Sequence, residues 1–177
     1  MKLAPIIAIA LLAAGGAGYY AYGQTQRPAQ TERSPNALER LRDWVMDSGG
    51  TERAFDNQYW DHHETGIYVE AKTGEALFVS TDKFDSGSGW PSFTQPVDPN
   101  AIVLREDNTL GMRRIEVRSR DGNHHLGHVF DDGPRDSGGQ RFCINSCAIR
   151  FIPRAQMQAE GYGRYLPLVD GTQAEAH

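Results

Sequence analysis

The stretch RFCINSCAIRFI, residues 141–152, decides how the chain is read. Its Phe, Ile and Cys residues form an almost continuous apolar run between polar flanks, which reads as a β-strand. Strand alternation then predicts Arg141, Cys143, Asn145, Cys147, Ile149 and Phe151 on one face. These are the only two cysteines of the 177 residues. Four positions along one strand separate their Cα atoms by about 13 Å, beyond the roughly 7 Å that a disulfide spans. A guanidinium two residues before Cys143 is expected to lower its thiol pKa and enrich the nucleophilic thiolate. Cys147, beside Ala148, Ile149 and Phe151, reads as a core position.

Outward from this stretch, residues 59–153 repeat one pattern: short runs such as GIYVEA, EALFVS, AIVLRED, RRIEVRSR and LGHVF, separated by turn clusters such as DSGSGWPS, DPN, SRDGN and DDGPRDSGG. Many short strands with turn signals predict a mainly β domain of antiparallel sheets, a sandwich or barrel-like arrangement. Before it, ALERLRDWVMDSGG spaces Leu38, Leu41, Val45 and Met46 as a short amphipathic helix that stops at Gly49 and Gly50. Residues 24–36 read as a polar linker and residues 156–177 as a polar tail with one short helix.

The first 23 residues carry one Lys and an uncharged apolar run. Two readings are open: a signal peptide released after Ala21-Tyr22-Gly23, or an anchor of about 20 residues, just long enough for a bilayer. Both export the domain to an extracytoplasmic, periplasmic location, and membrane contact is expected only through this segment. The 18 basic and 23 acidic residues are interspersed, giving a net charge of −5 with no basic patch, which excludes nucleic acid as a partner.

NHHLGHVF supplies His124, His125 and His128. The i, i+4 pair lacks the glutamate of a metalloprotease helix and has Gly127 inside it, so no such helix is expected. In a strand or turn, His125 and His128 can still converge on one pocket and move protons for a nearby thiol. The competing reading is a non-enzymatic module in which His62, His63, His125 and His128 hold a metal.

Together, GTERAFDNQYWDHHETGIYV, FDSGSGWPSF, GMRRIEVRSRDGNHHLGHVFDDGP and RFCINSCAIRFIP resemble, in order and spacing, the methionine sulfoxide reductase B family over residues 38–153. The resemblance implies two antiparallel sheets with short N-terminal helices. It implies a thiol-dependent reductase, a protein-repair enzyme of oxidative stress, specific for the R epimer of methionine sulfoxide in peptides and exported proteins. Cys143 matches the nucleophile that becomes a sulfenic acid. His125 and His128 match the histidines that organise protons at the substrate oxygen, and Arg141 and Asn145 match the flanking residues. Asp132 matches an acid expected to orient a histidine. Trp90 and Phe93 of GWPSF match substrate-binding positions, Trp90 as the wall that receives the methyl group. Two departures stand out. The positions of two zinc-binding CxxC pairs read Glu70, Thr73, Ser119 and Gly122, so no cofactor is expected. The usual resolving cysteine is replaced by Ser88, so an external thiol donor such as a thioredoxin-like protein is expected to recycle Cys143.

Overall fold

The computed structural model describes residues 35–172. The apolar segment 1–23 and nearly all of the expected linker lie outside the described residues. Among the described residues no helix is long and apolar enough to cross a membrane.

Helix α1 spans Pro35–Ser48, with proline at its first position, where no intrahelical N–H is needed. Val45 and Met46 are fully buried and Leu38 and Leu41 half-buried, as the helical spacing predicts. Gly49 closes the helix at φ +70°, donating to Val45 O at 3.0 Å. Nine strands follow: β1 Gly66–Glu70, β2 Ala76–Val79, β3 Lys83–Phe84, β4 Ser92–Phe93, β5 Ile102–Asp107, β6 Arg114–Ser119, β7 His125–Phe130, β8 Arg141–Ile144 and β9 Ile149–Pro153. Every pairing is antiparallel, in a three-stranded sheet of order β2-β1-β9 and a six-stranded sheet of order β3-β4-β8-β7-β6-β5. No barrel closes. The two sheets share a core of Tyr68, Phe78, Phe93, Val117, Leu126, Phe142 and Ile144.

The expected polar tail is instead part of the fold. Helix α2 (Arg154–Met157), a 3₁₀ turn at Gly163–Tyr165 and helix α3 (Leu166–Val169) bring Met157 and Val169 against Ile67, Val69, Val79 and Ile152. This second cluster covers the outer face of the small sheet. It explains why all five residues of β1 are buried, where a sheet wet on one face would alternate.

The reading of residues 141–152 as one strand also needs correction. β8 ends at Ile144 in the large sheet, Ser146–Ala148 form a 3₁₀ turn, and β9 begins in the small sheet. The break is fixed from afar by Glu52, whose buried carboxylate accepts the N–H groups of Ser146 and, at 3.1 Å, Cys147. Arg42 of α1 adds a bond from Nε to Cys147 O at 2.9 Å. Cys143 and Cys147 therefore sit on different elements, and both are free thiols.

Glu70, Thr73, Ser119 and Gly122 lie in two turns tied together by a polar clasp. Glu70 has no exposed surface; its Oε2 accepts from Lys72 N at 2.7 Å and from Thr73 N, and its Oε1 meets His124 Nδ1 at 2.7 Å. His124 N donates to Ser119 Oγ at 3.0 Å, and a side chain on Gly122 would collide with the His124 ring. Removing the buried carboxylate strands the N–H groups of Lys72 and Thr73 and the His124 ring. Glu70→Ala should therefore lower stability by about 3 kcal/mol, read as a fall in the urea midpoint at unchanged slope. A shift under about 1 kcal/mol would mean that the clasp is not what joins the turns.

Candidate active site

The large sheet builds a site on its outer face from β8, β7, β6 and β5. In β8, Phe142 and Ile144 turn into the core while Arg141 and Cys143 turn outward. Cys143 stands opposite His128 of β7 and Ser92 of β4. Directly opposed Cβ atoms are about 4.5–5.5 Å apart, so the His128 ring and the thiol are neighbours.

His125 and His128 are three residues apart, which in a regular strand would put them on opposite faces. The register shifts by one between Val117 and Arg118: Val117 faces Gly127, but Arg118 faces His125. This bulge absorbs Leu126, which is fully buried in the core, and brings both imidazoles to the same side with ring centroids 5.3 Å apart. Glycine is required between them, because a Cβ on Gly127 would lie 2.0 Å from Cys143 O.

Each imidazole is backed by a carboxylate that sequence reasoning did not single out. Glu116 Oε1 meets His125 Nδ1 at 2.8 Å and accepts from Arg118 Nη1 at 2.6 Å. Asp107 Oδ2 meets His128 Nε2 at 2.8 Å and accepts from Arg114 Nη2 at 2.7 Å. The Thr109 hydroxyl and N–H, followed by His128, hold the Asp107 carboxyl well below the usual range. Burial pushes Glu116 up, but the bonds from His125 and Arg118 outweigh it and leave the carboxyl below its ordinary value. An ionised carboxylate only accepts, so the facing ring nitrogen carries the proton. Burial keeps His125 neutral by lowering its pKa, against the opposing pull of Glu116. His125 Nε2 is then an acceptor, and it is buried with no partner among the described residues. In AIVLRED and RRIEVRSR these carboxylates read as solvated alternate positions; only the strand register with the HLGH segment reveals them.

The turn before β4 forms another wall. Ser88 Oγ lies 4.0 Å from Cys143 Sγ and within 2.8 Å of Ser86 Oγ, which reaches Ser92 Oγ at 2.7 Å. Trp90 follows in the same turn, its N–H on Ser88 Oγ at 3.4 Å and its Nε1 donating to Glu52 O at 3.2 Å. Gly89 adopts φ +86°, and a Cβ there would strike Ala54 and Phe55.

Four expectations change. Asp132 orients no histidine; it forms a two-pronged ion pair with Arg141, at 2.8 and 2.9 Å, while that guanidinium lies 4.5 Å over the Phe130 ring. Phe93 does not line the site: it has no exposed surface and stacks on Phe78 in the core, because the alternation that puts Ser92 beside Cys143 turns Phe93 inward. Asn145 is likewise buried, accepting from Glu52 N and donating to Leu126 O at 3.0 Å each, where it fixes the end of β8. The Cys143 thiol is raised, not lowered: burial outweighs the pull of Arg141 and the hydrogen bond from Ser88.

The four histidines of the metal-binding reading do not converge. His62 bonds the Tyr68 hydroxyl at 2.8 Å, and with His63 it borders a hollow of about 140 Å³ that also holds Lys83, a cation that would repel a metal ion. Neither His125 nor His128 borders that hollow. Among the described residues no group of three or more His, Cys, Asp or Glu side chains is arranged to hold a metal.

A thiol beside two carboxylate-backed imidazoles on a two-sheet β scaffold defines a cysteine-centred site equipped for proton transfer. The SelR domain family model matches residues 38–153, and the chain belongs to that family, the methionine sulfoxide reductase B family which its motifs resemble. A curated relative, the peptide methionine sulfoxide reductase MsrA/MsrB of Vibrio cholerae, is 56% identical over 131 residues. That match covers 74% of this chain and 34% of the relative, so the chain spans about a third of the length of the curated relative it matches.

Proposed function

We propose that the protein reduces methionine sulfoxide in peptides and proteins, acting on the R epimer, with Cys143 as the nucleophile. The observation that carries this reading is the Cys143 thiol set opposite His128 and 4.0 Å from Ser88, with His125 presenting an unpartnered Nε2 on the same face. The first step balances within the site. Cys143 sulfur attacks the sulfoxide sulfur, the thiol proton passes through imidazole to the sulfoxide oxygen, and that oxygen moves to Cys143. Thioether and Cys143 sulfenic acid result, with two electrons passing from the thiol to the substrate sulfur. A thiol kept protonated by burial and a histidine kept neutral by burial suit this exchange, since neither an outside proton nor a preformed thiolate is needed. Trp90 forms the wall for the methyl group, a contact that aromatic rings favour.

Two molecules of an external thiol, or one dithiol of the thioredoxin type, then reduce the sulfenic acid to Cys143 thiol and water, giving a disulfide. Cys147 takes no part: burial and Glu52 push its thiol far up, and it sits at the base of the 3₁₀ turn. The enzyme works without zinc, its two turns being held by Glu70 and His124. Residues 1–23 export it, so that its substrates are oxidised envelope proteins.

The test is a peptide carrying methionine sulfoxide as separate epimers, assayed with dithiothreitol. Reduction of the R epimer with the S epimer left intact is expected; equal rates on both would overturn the assignment.

A further inference from the structure

Residues 51–60, GTERAFDNQYW from its Thr onward, take no part in the chemistry above, yet they are strapped to both walls of the site. Asn57 Nδ2 donates to Gly89 O at 2.7 Å, and its Oδ1 accepts from Trp60 N and from Ser146 Oγ. Tyr59 N donates to Ser146 Oγ at 3.0 Å. At the crest of this strap is Phe55. Its φ is +61°, a left-handed conformation that costs a residue other than glycine roughly 1–2 kcal/mol. Its N–H donates to Gly89 O at 2.9 Å, one residue before Trp90. Its ring is 57% exposed, standing edge-on against Trp60 at 5.3 Å, with its lower edge over Gly89. A large apolar ring held outward on a strained backbone gains little from the core. Such strain collects where the surface meets a ligand, and exposed aromatic side chains are common anchors for partners.

We propose that Phe55, backed by Trp60, is the subsite for an apolar side chain adjacent in sequence to the oxidised methionine, which rests on Trp90 receiving the methyl group as proposed above. Phe55 is bonded through its N–H to Gly89, which joins Ser88, 4.0 Å from Cys143 Sγ, to Trp90, so a side chain neighbouring the methionine in an extended peptide reaches the ring. The ring lies between exposed Arg53 and Asp56, one charge of each sign, so the surface selects for apolar character and not for charge. Phe55 is thus a specificity residue for unfolded or damaged segments whose apolar side chains are exposed.

The experiment compares the full chain with Phe55→Gly and Phe55→Tyr. Glycine accepts the left-handed turn and keeps its N–H bond to Gly89, so the variant loses the ring without the fold. Substrates are N-acetylmethionine (R)-sulfoxide amide and two short peptides that differ in one flanking residue, Leu or Ser, all with dithiothreitol. Phe55→Gly should raise KM for the Leu peptide about 5–10-fold at unchanged kcat, because a partly buried leucine loses its apolar contact. The other two substrates should change less than about twofold, and Phe55→Tyr should restore the Leu preference. An equal loss on all three substrates would make Phe55 a prop for the Trp90 turn and overturn the subsite. So would a defect seen only when a thioredoxin-type protein replaces dithiothreitol, which would assign the ring to donor docking. A wild-type protein inert toward all three substrates would overturn the reaction itself, and the subsite with it.

Discussion

Cys143→Ser is expected to reduce turnover to background, a loss of more than about 10⁴-fold, while the protein stays folded. Serine fits the space of the thiol without crowding its neighbours, so stability should change by less than about 1 kcal/mol. An alcohol can neither attack the sulfoxide sulfur nor take up its oxygen as a sulfenic acid. Unchanged circular dichroism together with lost activity separates chemistry from folding. The wild type supplies the complement. After one equivalent of substrate without reductant, dimedone should label Cys143 and one free thiol should remain, that of Cys147. The reason is not the 13 Å strand distance that the sequence suggests, since the strand breaks. Cys147 is held by its N–H on Glu52 and its C=O on Arg42, in a turn whose buried residues would have to unfold for the thiol to reach Cys143. A Cys143–Cys147 disulfide found by peptide mapping would show that this turn opens during turnover.

The strand pattern was legible because antiparallel strands between turn clusters leave a local signal, and helix α1 was legible from its spacing and its glycine stop. What escaped reading was set by distant parts of the chain. Residues 141–151 keep a period of two across the break at Asn145, and only Glu52 and Arg42, remote in sequence, force the turn there. Residues 156–177 read as a polar tail with one short helix because Met157 and Val169 are too sparse to mark a face that packs, although each is buried. At the site, the residue types of GWPSF, HLGH and RxCxN pointed to the thiol and imidazoles, but their partners depended on register. Asp132 is near the histidines in sequence and pairs with Arg141, whereas Asp107 and Glu116, on other strands, are the acids that hold them. The parity of His125 and His128 was likewise hidden, since a bulge has no signature in a single sequence beyond the glycine it requires.

The pair Glu116→Ala and Glu116→Gln tests whether His125 works as a neutral proton carrier. Glu116 does two things for His125. It fixes the ring and places the proton on Nδ1, and its charge raises a pKa that burial lowers. Alanine removes both, leaving the imidazole free to turn and to exchange tautomers, and also strands Arg118. Glu116→Ala should therefore lower kcat/KM about 10²-fold, the scale lost when a proton-transfer group is no longer oriented. Glutamine keeps an amide oxygen that can accept from both His125 and Arg118 but carries no charge. If His125 acts neutral, Glu116→Gln should stay within about fivefold of wild type near neutral pH. The pH profile then gives the decisive sign. The first-step rate falls as pH drops through the His125 pKa, because a protonated Nε2 cannot accept the thiol proton. With the Glu116 charge gone, burial acts unopposed, the pKa falls further, and the acidic limb should move to lower pH. A merely loosened fold would lower the rate at every pH and leave the limb in place. Should Glu116→Gln prove as damaging as Glu116→Ala, with its acidic limb unmoved, the charge itself would be what the reaction requires, and His125 would have to act as an imidazolium paired with Glu116.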